Sequence, residues 1–250
     1  MTQAIEIRVD NGVQIIRLMR ADKKNALTGA MYDAMSTALE EAEKSDAIAA
    51  HVFMGSGGVF TAGNDINDFV RRAQDGSQHA APSQKFIQRL PKVTRPMIAA
   101  VDGLAVGMGT TLLLHCDFVV ASEWSILSAP FADLGLSPEA ASSLLAPRML
   151  GYHRAFELLV MGEQYDAQRA LQAGLVSKVV PAEEVETAAF GFARALATKP
   201  PEAVRTARRL LRGDRREVIT RIDQEATAFT ELLRSPAARD ALQAFLDRNN

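Results

Sequence analysis

The N-terminal residues alternate between apolar and polar positions. Apolar side chains recur at every second position from Ile5 to Val9, and apolar positions resume after an Asp-Asn-Gly step at 10–12. A period of two is typical of a strand with one buried face, and Asn-Gly favours a tight turn between antiparallel strands. The chain is therefore predicted to begin with a β-hairpin.

Short, almost entirely apolar runs follow at 49–56, 97–101 and 117–122. Such runs predict strands that are buried on both faces. Between them lie segments of helical length, and Thr28 is placed to cap a helix that runs to about Ser45. Strands that alternate with helices predict a layered α/β core.

From about residue 139 onward the pattern is mostly helical, and 175–180 is the strong strand signal there. Proline and glycine residues divide the rest into predicted helices. These helices are expected at 182–198, 201–212, 215–234 and 236–248. We therefore divide the chain into an α/β core (1–195) and a helical C-terminal region (196–250). The polar stretch 73–84, which contains Gly and Pro, is predicted to be flexible.

Composition excludes several classes of function. The 250 residues are 48% hydrophobic and 23% charged, with a formal net charge of −2, which gives no electrostatic basis for binding nucleic acid or an anionic membrane. A single cysteine, Cys116, excludes an internal disulfide and a cysteine metal cluster. The four histidines lack metal-ligand spacing, so no metal site is predicted.

The N-terminus shows no signal-peptide pattern, and a cytoplasmic location is the default expectation. The most apolar run, 97–121, is interrupted by Asp102, His115 and Asp117. It therefore predicts a buried strand–turn–helix–strand unit rather than a membrane span.

Two glycine-containing loops carry candidate chemistry. They are FTAGNDI at 60–66 and DGLAVGMGTT at 102–111, and each follows a predicted strand. Glycine lets the backbone turn sharply and leaves amide N–H groups free at a helix start, so one amide from each loop would stabilise an oxyanion. Taken alone, each loop is more often a simple turn. Neither fits a phosphate-binding glycine motif.

The order of these two loops, together with MRADKKNAL at 19–27 and the helical C-terminus, resembles the crotonase (enoyl-CoA hydratase/isomerase) superfamily over nearly the whole chain. The resemblance implies a ββα superhelix core and an acyl-CoA thioester substrate. It implies no cofactor beyond the coenzyme A of the substrate. It also implies a homotrimer or a dimer of trimers, with 196–250 serving trimerisation and capping of CoA.

The resemblance also implies specific site residues. The backbone amides of Ala62 and Met108 would form the oxyanion hole for the thioester carbonyl. A larger set would bind the substrate and its CoA: Ala21, Lys23, Lys24, Ala26, Ala62, Gly63, Asn64, Asp65, Ile66 and Gly107.

Hydratases of this family activate water with two glutamates, and Thr111 and Phe131 stand at the matching positions. Neither side chain is an acid or a base, so hydration is disfavoured. The GLSPEAASS segment instead resembles the Δ3,Δ2-enoyl-CoA isomerase branch, which carries one catalytic glutamate in an SPE segment. Glu139 is that glutamate here, and GNDI at 63–66 agrees with the same branch.

A second interpretation of Glu139 is structural. Ser137 and Pro138 suit the first positions of a helix, and a glutamate in the first turn favours the helix dipole. The dipole would lower the pKa of this carboxyl, whereas an apolar pocket would raise it, and the sequence leaves that balance open.

The sequence therefore predicts an isomerase that shifts the double bond of 3-enoyl-CoA to the 2-trans position in fatty-acid β-oxidation, with Glu139 carrying the proton. One alternative is a ring-rearranging CoA isomerase of aromatic degradation. The other is a catalytically silent acyl-CoA-binding module with the same fold.

Overall fold

The computed structural model describes residues 4–67 and 81–248. Most of the stretch predicted to be flexible, 73–84, lies outside these residues. Its last residues begin a helix at Pro82.

Two sheets contain the strands. The main sheet has the order β1-β2-β3-β4-β6-β9, and a smaller one has the order β5-β7-β8. The strands are β1 Ile5–Asp10, β2 Val13–Leu18, β3 Ala50–Met54, β4 Met97–Val101, β5 Leu104–Val106, β6 Phe118–Ser122, β7 Ile126–Ser128, β8 Tyr165–Asp166 and β9 Lys178–Val180.

The N-terminal hairpin prediction is confirmed. β1 and β2 pair antiparallel, and the turn between them places Asn11 (φ 49°) and Gly12 (φ 79°) in the left-handed region. That turn geometry requires residues such as Asn and Gly. The remaining neighbours in the main sheet are all parallel.

Helices cover the main sheet and form the C-terminal region. They are α1 Gly29–Glu43, α2 Pro82–Arg89, α3 Met108–Leu113, α4 Ser142–Leu150, α5 Tyr152–Leu159, α6 Ala167–Ala173, α7 Val185–Ala197, α8 Pro201–Arg212, α9 Arg215–Leu233 and α10 Pro236–Arg248. The predicted mixed α/β core with a helical C-terminus is thus confirmed. The N-cap of α1 is Thr28, as predicted, and its hydroxyl accepts from the Met31 amide.

Both faces of the main sheet are buried, which explains the continuous apolar runs. On one face, Ile15 and Val52 pack in a cluster with Ala189 of α7. On the opposite face, Ile16 and Phe53 belong to the larger core that α1 and α2 cover. Alternate residues of a strand point to opposite faces, so each strand supplies both clusters.

The small sheet was not predicted. β5 lies inside the loop that the sequence marked only as a glycine turn, between 102 and 111. Strands of two or three residues are too short to show a hydrophobic period. Their pairing, such as Ala105 with Leu127, is set by residues distant in the chain.

Within residues 4–67 and 81–248, no helix is long and apolar enough to cross a membrane. The same residues contain no group of three or more His, Cys, Asp or Glu side chains that could bind a metal ion. The division at residue 195 falls near the end of α7, and it stays a prediction. Trimer formation likewise stays a prediction.

Candidate active site

The first glycine loop is held between two other segments of backbone. Thr61 bridges to Ala105 of β5, and Asn64 bridges to Leu27 at the end of the 19–27 segment. The Thr61 amide donates to the Leu104 carbonyl at 2.9 Å, and the Asp65 amide donates to the Leu27 carbonyl at 3.0 Å. The loop is therefore fixed on both sides.

Neighbouring amides of an extended chain face opposite sides, but Gly63, with φ 86°, interrupts this order between Ala62 and Asn64. Ala62 donates its N–H to the carbonyl of Lys24 at 2.9 Å, on the same side as the bond from Asp65 to Leu27. The Gly63 carbonyl and the Asp65 N–H both bind Leu27, so the Asn64 N–H between them faces away from Leu27. Among the described residues it has no hydrogen-bond partner.

Gly63 lets the two loops approach each other. Its φ is 86°, and a Cβ at this position would lie only 2.7 Å from the carbonyl oxygen of Val106. A larger residue would therefore force the loops apart. The Gly63 amide donates to the Thr61 hydroxyl at 3.0 Å, which fixes the turn from within.

The second loop leads into α3. Gly107 precedes the helix with φ 55° and ψ −115°, a conformation that side chains resist, and its N–H donates to Ser128 of β7 at 2.9 Å. Met108 is the first helical residue, so its amide has no intrahelical partner. No other acceptor for it exists in the part of the chain that the structure describes. The Met108 side chain is fully buried.

A small pocket lies where the two loops meet. Its wall is mostly apolar, and Glu139 is the one ionisable side chain among the described residues that line it. These residues are Ala62, Gly63, Asn64, Ile66, Val106, Gly107, Met108, Pro130, Phe131, Leu134, Leu136, Glu139 and Phe229.

Glu139 does not lie in a helix, so the predicted helix start at Ser137 and Pro138 is wrong. The next helix, α4, begins at Ser142. Between them, Ala140 (φ 60°) and Ala141 (φ 54°) both adopt the left-handed conformation. These two residues turn the chain, and Glu139 lines the pocket just before the turn.

Burial decides the charge state of Glu139. Its side chain is 8% exposed, and the loss of hydration raises the pKa of its carboxyl to about 7, with a further rise from the nearby charge of Glu225. A hydrogen bond from the Asn64 side-chain amide to Oε1, at 3.4 Å, acts in the opposite direction. The apolar pocket therefore outweighs the effects that favour the anion.

The side chain of Asn64 is itself oriented. The Tyr32 hydroxyl, on α1, donates to the Asn64 Oδ1 atom. That contact assigns the oxygen of the amide to Tyr32 and turns the nitrogen towards Glu139. Asn64 therefore offers the pocket a backbone donor and holds the carboxyl with its side chain.

Comparison with known proteins identifies the family. The model of the enoyl-CoA hydratase/isomerase family matches residues 8–250. The chain belongs to this family.

The relatives include an enoyl-CoA delta isomerase and a 1,2-epoxyphenylacetyl-CoA isomerase. Enoyl-CoA delta isomerase 2 of Rattus norvegicus is 32% identical over 99% of this chain, which spans 64% of the length of the rat protein. The 1,2-epoxyphenylacetyl-CoA isomerase of Escherichia coli is 30% identical over all of this chain and 98% of its own. The structure of OdaA from Pseudomonas aeruginosa is 40% identical, with a TM-score of 0.93 over 98% of this chain and 99% of that one.

At the two positions where hydratases of the family place glutamates, this structure holds no acid. Phe131 lines the pocket with its apolar ring. Thr111 is fully buried in α3, and its hydroxyl faces the carbonyl of Met108 at 3.5 Å. Among the described residues, neither of these two positions therefore supplies a carboxylate that would hold a water.

One predicted oxyanion donor has to be replaced. We expected the amides of Ala62 and Met108 to act together, but the Ala62 N–H is already bound to Lys24. Asn64, two residues later and beyond the turn at Gly63, presents the unpartnered amide instead. The sequence did not show which amide of the loop is left unpartnered, because the turn at Gly63 and the pairing with Leu27 decide it.

Other members of the predicted substrate-binding set lie in different places. Ala62, Gly63, Asn64, Ile66 and Gly107 line the pocket. The Asp65 carboxylate instead binds Arg20 at 2.6 Å and accepts from the Asn67 amide, so it holds the loop in place.

The residues predicted from the 19–27 segment lie outside the lining of the pocket. Ala21 and Lys23 belong to a short exposed turn, Lys24 follows it with φ 51°, and Ala26 is half-buried. The carbonyl of Lys24 supports the first loop through Ala62. Contact of these four residues with CoA stays a prediction.

Sequence reasoning missed several residues of the site. Phe229 reaches the pocket from α9, Tyr32 orients Asn64 from α1, and Glu225 lies behind Glu139. All three lie far from the glycine loops in the chain, and no local motif marks them. The amphipathic spacing of α9 is the one signal that could have placed Phe229 among the apolar residues that need burial.

Proposed function

We propose that this protein is a Δ3,Δ2-enoyl-CoA isomerase, which converts 3-enoyl-CoA to 2-trans-enoyl-CoA with Glu139 as the proton carrier. The observation that carries this proposal is the pairing of one buried carboxyl, whose pKa is raised to about 7, with two unpartnered amides at the same apolar pocket. Groups with such perturbed pKa values cluster at functional sites.

The two amides supply the electrophilic part of the mechanism. The thioester oxygen accepts hydrogen bonds from the N–H groups of Asn64 and Met108. As the C2 proton leaves, negative charge develops on that oxygen, and donors that are already in place stabilise it without reorganising. The helix α3 has only six residues, so its dipole adds little stabilisation of the oxyanion. The two N–H groups therefore carry the effect.

Glu139 supplies the acid–base part. The C2 proton of a 3-enoyl thioester is acidic, because the carbonyl and the double bond both delocalise the charge that remains. The Glu139 carboxylate takes this proton to give a dienolate. The same carboxyl then returns the proton at C4, which leaves the double bond between C2 and C3 and regenerates the carboxylate.

The raised pKa suits this double role. A carboxyl with a pKa near 7 is a stronger base than an exposed glutamate and still gives its proton back readily near neutral pH. Asn64 restrains the carboxyl through its side-chain amide, so that the same oxygen atoms serve C2 and C4.

A ring-rearranging CoA isomerase is the second candidate. The similarity to the 1,2-epoxyphenylacetyl-CoA isomerase, which spans nearly all of both chains, favours it. Phe131 and Phe229 also give the pocket two aromatic walls. A silent acyl-CoA-binding module is disfavoured, because a buried carboxyl with a strongly raised pKa destabilises the folded protein and a module has no use for it.

The test is an isomerisation assay on the purified protein. 3-trans-Hexenoyl-CoA is the probe, and the absorbance of the conjugated thioester reports the product. We expect turnover by the natural protein and a kcat at least about 10²-fold lower for Glu139→Gln. Turnover of an epoxyphenylacetyl-CoA with no conversion of 3-enoyl-CoA would replace the proposal by the second candidate. Binding of both thioesters without any conversion would support the silent module.

A further inference from the structure

Glu225 lies behind the segment that carries Glu139. It belongs to α9 and is 6% exposed. Its Oε2 accepts from the Ala141 amide at 2.5 Å, and its Oε1 accepts from the amide of Ser143 at 2.9 Å and from the hydroxyl of Ser143 at 2.5 Å. One buried carboxylate therefore binds three donors of a single turn.

This turn is one that needs external support. Ala140 and Ala141 lie consecutively in the left-handed region, which alanine rarely adopts and which costs on the order of 1 kcal/mol or more for each residue. A second contact comes from His115, whose Nε2–H donates to the Ala140 carbonyl at 2.7 Å. Burial lowers the pKa of His115 to about 4, so this imidazole is neutral and adds no charge.

The same helix also forms part of the pocket. Phe229 follows Glu225 by one helical turn, so both side chains lie on the same face of α9. α9 thus contacts the site through an apolar wall at Phe229 and through an acidic anchor at Glu225.

We infer that Glu225 is a positioning residue for the isomerisation: it holds the 139–143 turn so that the Glu139 carboxyl stays in the pocket, and it keeps a second negative charge beside that carboxyl. This inference rests on the proposed function of Glu139. Glu225 does not line the pocket and acts through the turn.

The charges around the pair support the inference. Burial is the largest cause of the raised pKa of Glu139, and the charge of Glu225 raises this pKa further. The hydrogen bond from Asn64 lowers it. Burial also raises the pKa of Glu225, but the hydrogen bonds from Ser143 and Ala141 and the charge of Arg221 favour its anion. Every contact of the Glu225 carboxyl uses it as an acceptor, so of the two carboxyls Glu225 is the one that its surroundings hold as the anion.

The experiment compares Glu225→Gln with a matched control on the same helix. Glu217 also links α9 to α4, through an ion pair with Arg148 at 2.6 Å, but that pair is exposed and neither residue lines the pocket. Glu217→Gln therefore removes a carboxylate that docks the same helix without touching the turn.

For Glu225→Gln we expect kcat for 3-hexenoyl-CoA to fall about tenfold or more, because a displaced carboxyl loses its alignment, with KM changed less than kcat. The midpoint of the rise in kcat with pH should shift to lower pH, because the charge of Glu225 no longer raises the pKa of Glu139. Glu217→Gln should match the natural protein in kcat and in pH profile. Equal kcat and pH profile for the two variants would overturn the inference.

A substrate-free measurement separates this inference from the proposed function. Carboxyl ¹³C NMR follows the titration of Glu139, assigned by its loss in Glu139→Gln. A lower midpoint in Glu225→Gln supports the coupling even if the natural protein does not isomerise 3-enoyl-CoA, a result that would refute only the proposed function. An unchanged midpoint refutes the coupling even if the protein is an active isomerase.

A second variant covers the case in which Glu225→Gln does not fold. Ser143→Ala removes one of the three donors from the turn and leaves both carboxylates in place. We expect a severalfold lower kcat with KM nearly unchanged. A kcat equal to that of the natural protein would contradict a positioning role for this contact.

Discussion

The side chain of Asn64 donates a 3.4 Å hydrogen bond to the carboxyl of Glu139, and the two residues come from loops 75 positions apart in the chain. The contact is long for an N–H···O bond, so it restrains the carboxyl without fully stabilising the anion. This explains why the pKa of Glu139 remains raised to about 7 although a donor faces it.

The pH dependence of turnover follows from this pair. Glu139 must be deprotonated to take the C2 proton, so kcat should rise with pH around a midpoint of about 7. Asn64→Ala removes a donor that favours the anion, so the midpoint should move to higher pH. The backbone amide of residue 64 remains, and the plateau of kcat should fall only modestly. A pH–rate profile of both proteins checks this, and a midpoint near that of an exposed glutamate would contradict the burial of Glu139.

Glu139→Gln tests the proton carrier. Gln keeps the shape of the side chain but cannot accept the C2 proton, so we expect kcat to fall by about 10²–10⁴-fold, the usual contribution of a general acid–base group. Affinity for a saturated acyl-CoA should be nearly unchanged. Asp133→Asn is the control, because Asp133 is an exposed carboxylate outside the pocket lining. Similar kcat values for the two variants would leave Glu139 without a catalytic role.

The same substitution should stabilise the protein in a pH-dependent way. The pKa of Glu139 is raised in the folded state from 4.5 to about 7. Its contribution to stability is present below the unfolded pKa and is lost as pH rises through the folded pKa, by about 3 kcal/mol in all. Glu139→Gln lacks this loss. Its free energy of unfolding should exceed that of the natural protein by more at about pH 8 than at about pH 5, as measured by urea denaturation.

Much of the fold was predictable because the signals are local. β4 is apolar throughout and is buried on both sides, and α8 begins at Pro201 after a second proline, so its N-terminus was evident. The order of the glycine loops and the position of Glu139 in the SPE segment also follow from the sequence alone.

The details of the site depend on distant partners and were not predictable. The helix after Glu139 begins at Ser142 rather than Ser137, because Glu225, 84 residues from Ala141, binds the turn. The amide proposed as the donor of the first loop is at Asn64, because pairing with Leu27 turns the Asn64 N–H away from that strand partner. A carboxylate contact across such a distance leaves no local pattern in the sequence.

Hydration of 2-enoyl-CoA should be slow. Thr111 and Phe131 offer no acid or base to a water, so we expect hydration at less than about one hundredth of the isomerisation rate. Introducing both glutamates, with Thr111→Glu and Phe131→Glu, should not restore it. Position 111 is fully buried, and a carboxylate there would lack oriented partners and lower stability. Hydration at a rate comparable with isomerisation would contradict this expectation and show that another residue of the site, such as Glu139, activates water.

The last prediction concerns the oxyanion loops. A Cβ at Gly107 would meet no atom within 4 Å, so Gly107→Ala causes no collision, but φ 55° with ψ −115° is strained for alanine. Relaxing that strain should tilt the Met108 amide away from the thioester oxygen. Loss of one such donor costs about 10²–10³ in rate, mainly in kcat, because the bond strengthens as the oxygen gains charge. Gly191→Ala is the control, since its Cβ also meets nothing and its φ is not positive.

Met108→Ala separates the side chain from the amide. The Met108 side chain is fully buried, with its sulfur 3.7 Å from the Thr111 hydroxyl, so its removal should cost about 2–5 kcal/mol of stability. The amide stays in place, and kcat per folded molecule should fall far less than in Gly107→Ala. Thermal unfolding and single-turnover kinetics on the same preparations measure the two effects. If Met108→Ala lowers kcat as much as Gly107→Ala, the side chain shapes the pocket, and the assignment of this backbone amide as a donor is wrong.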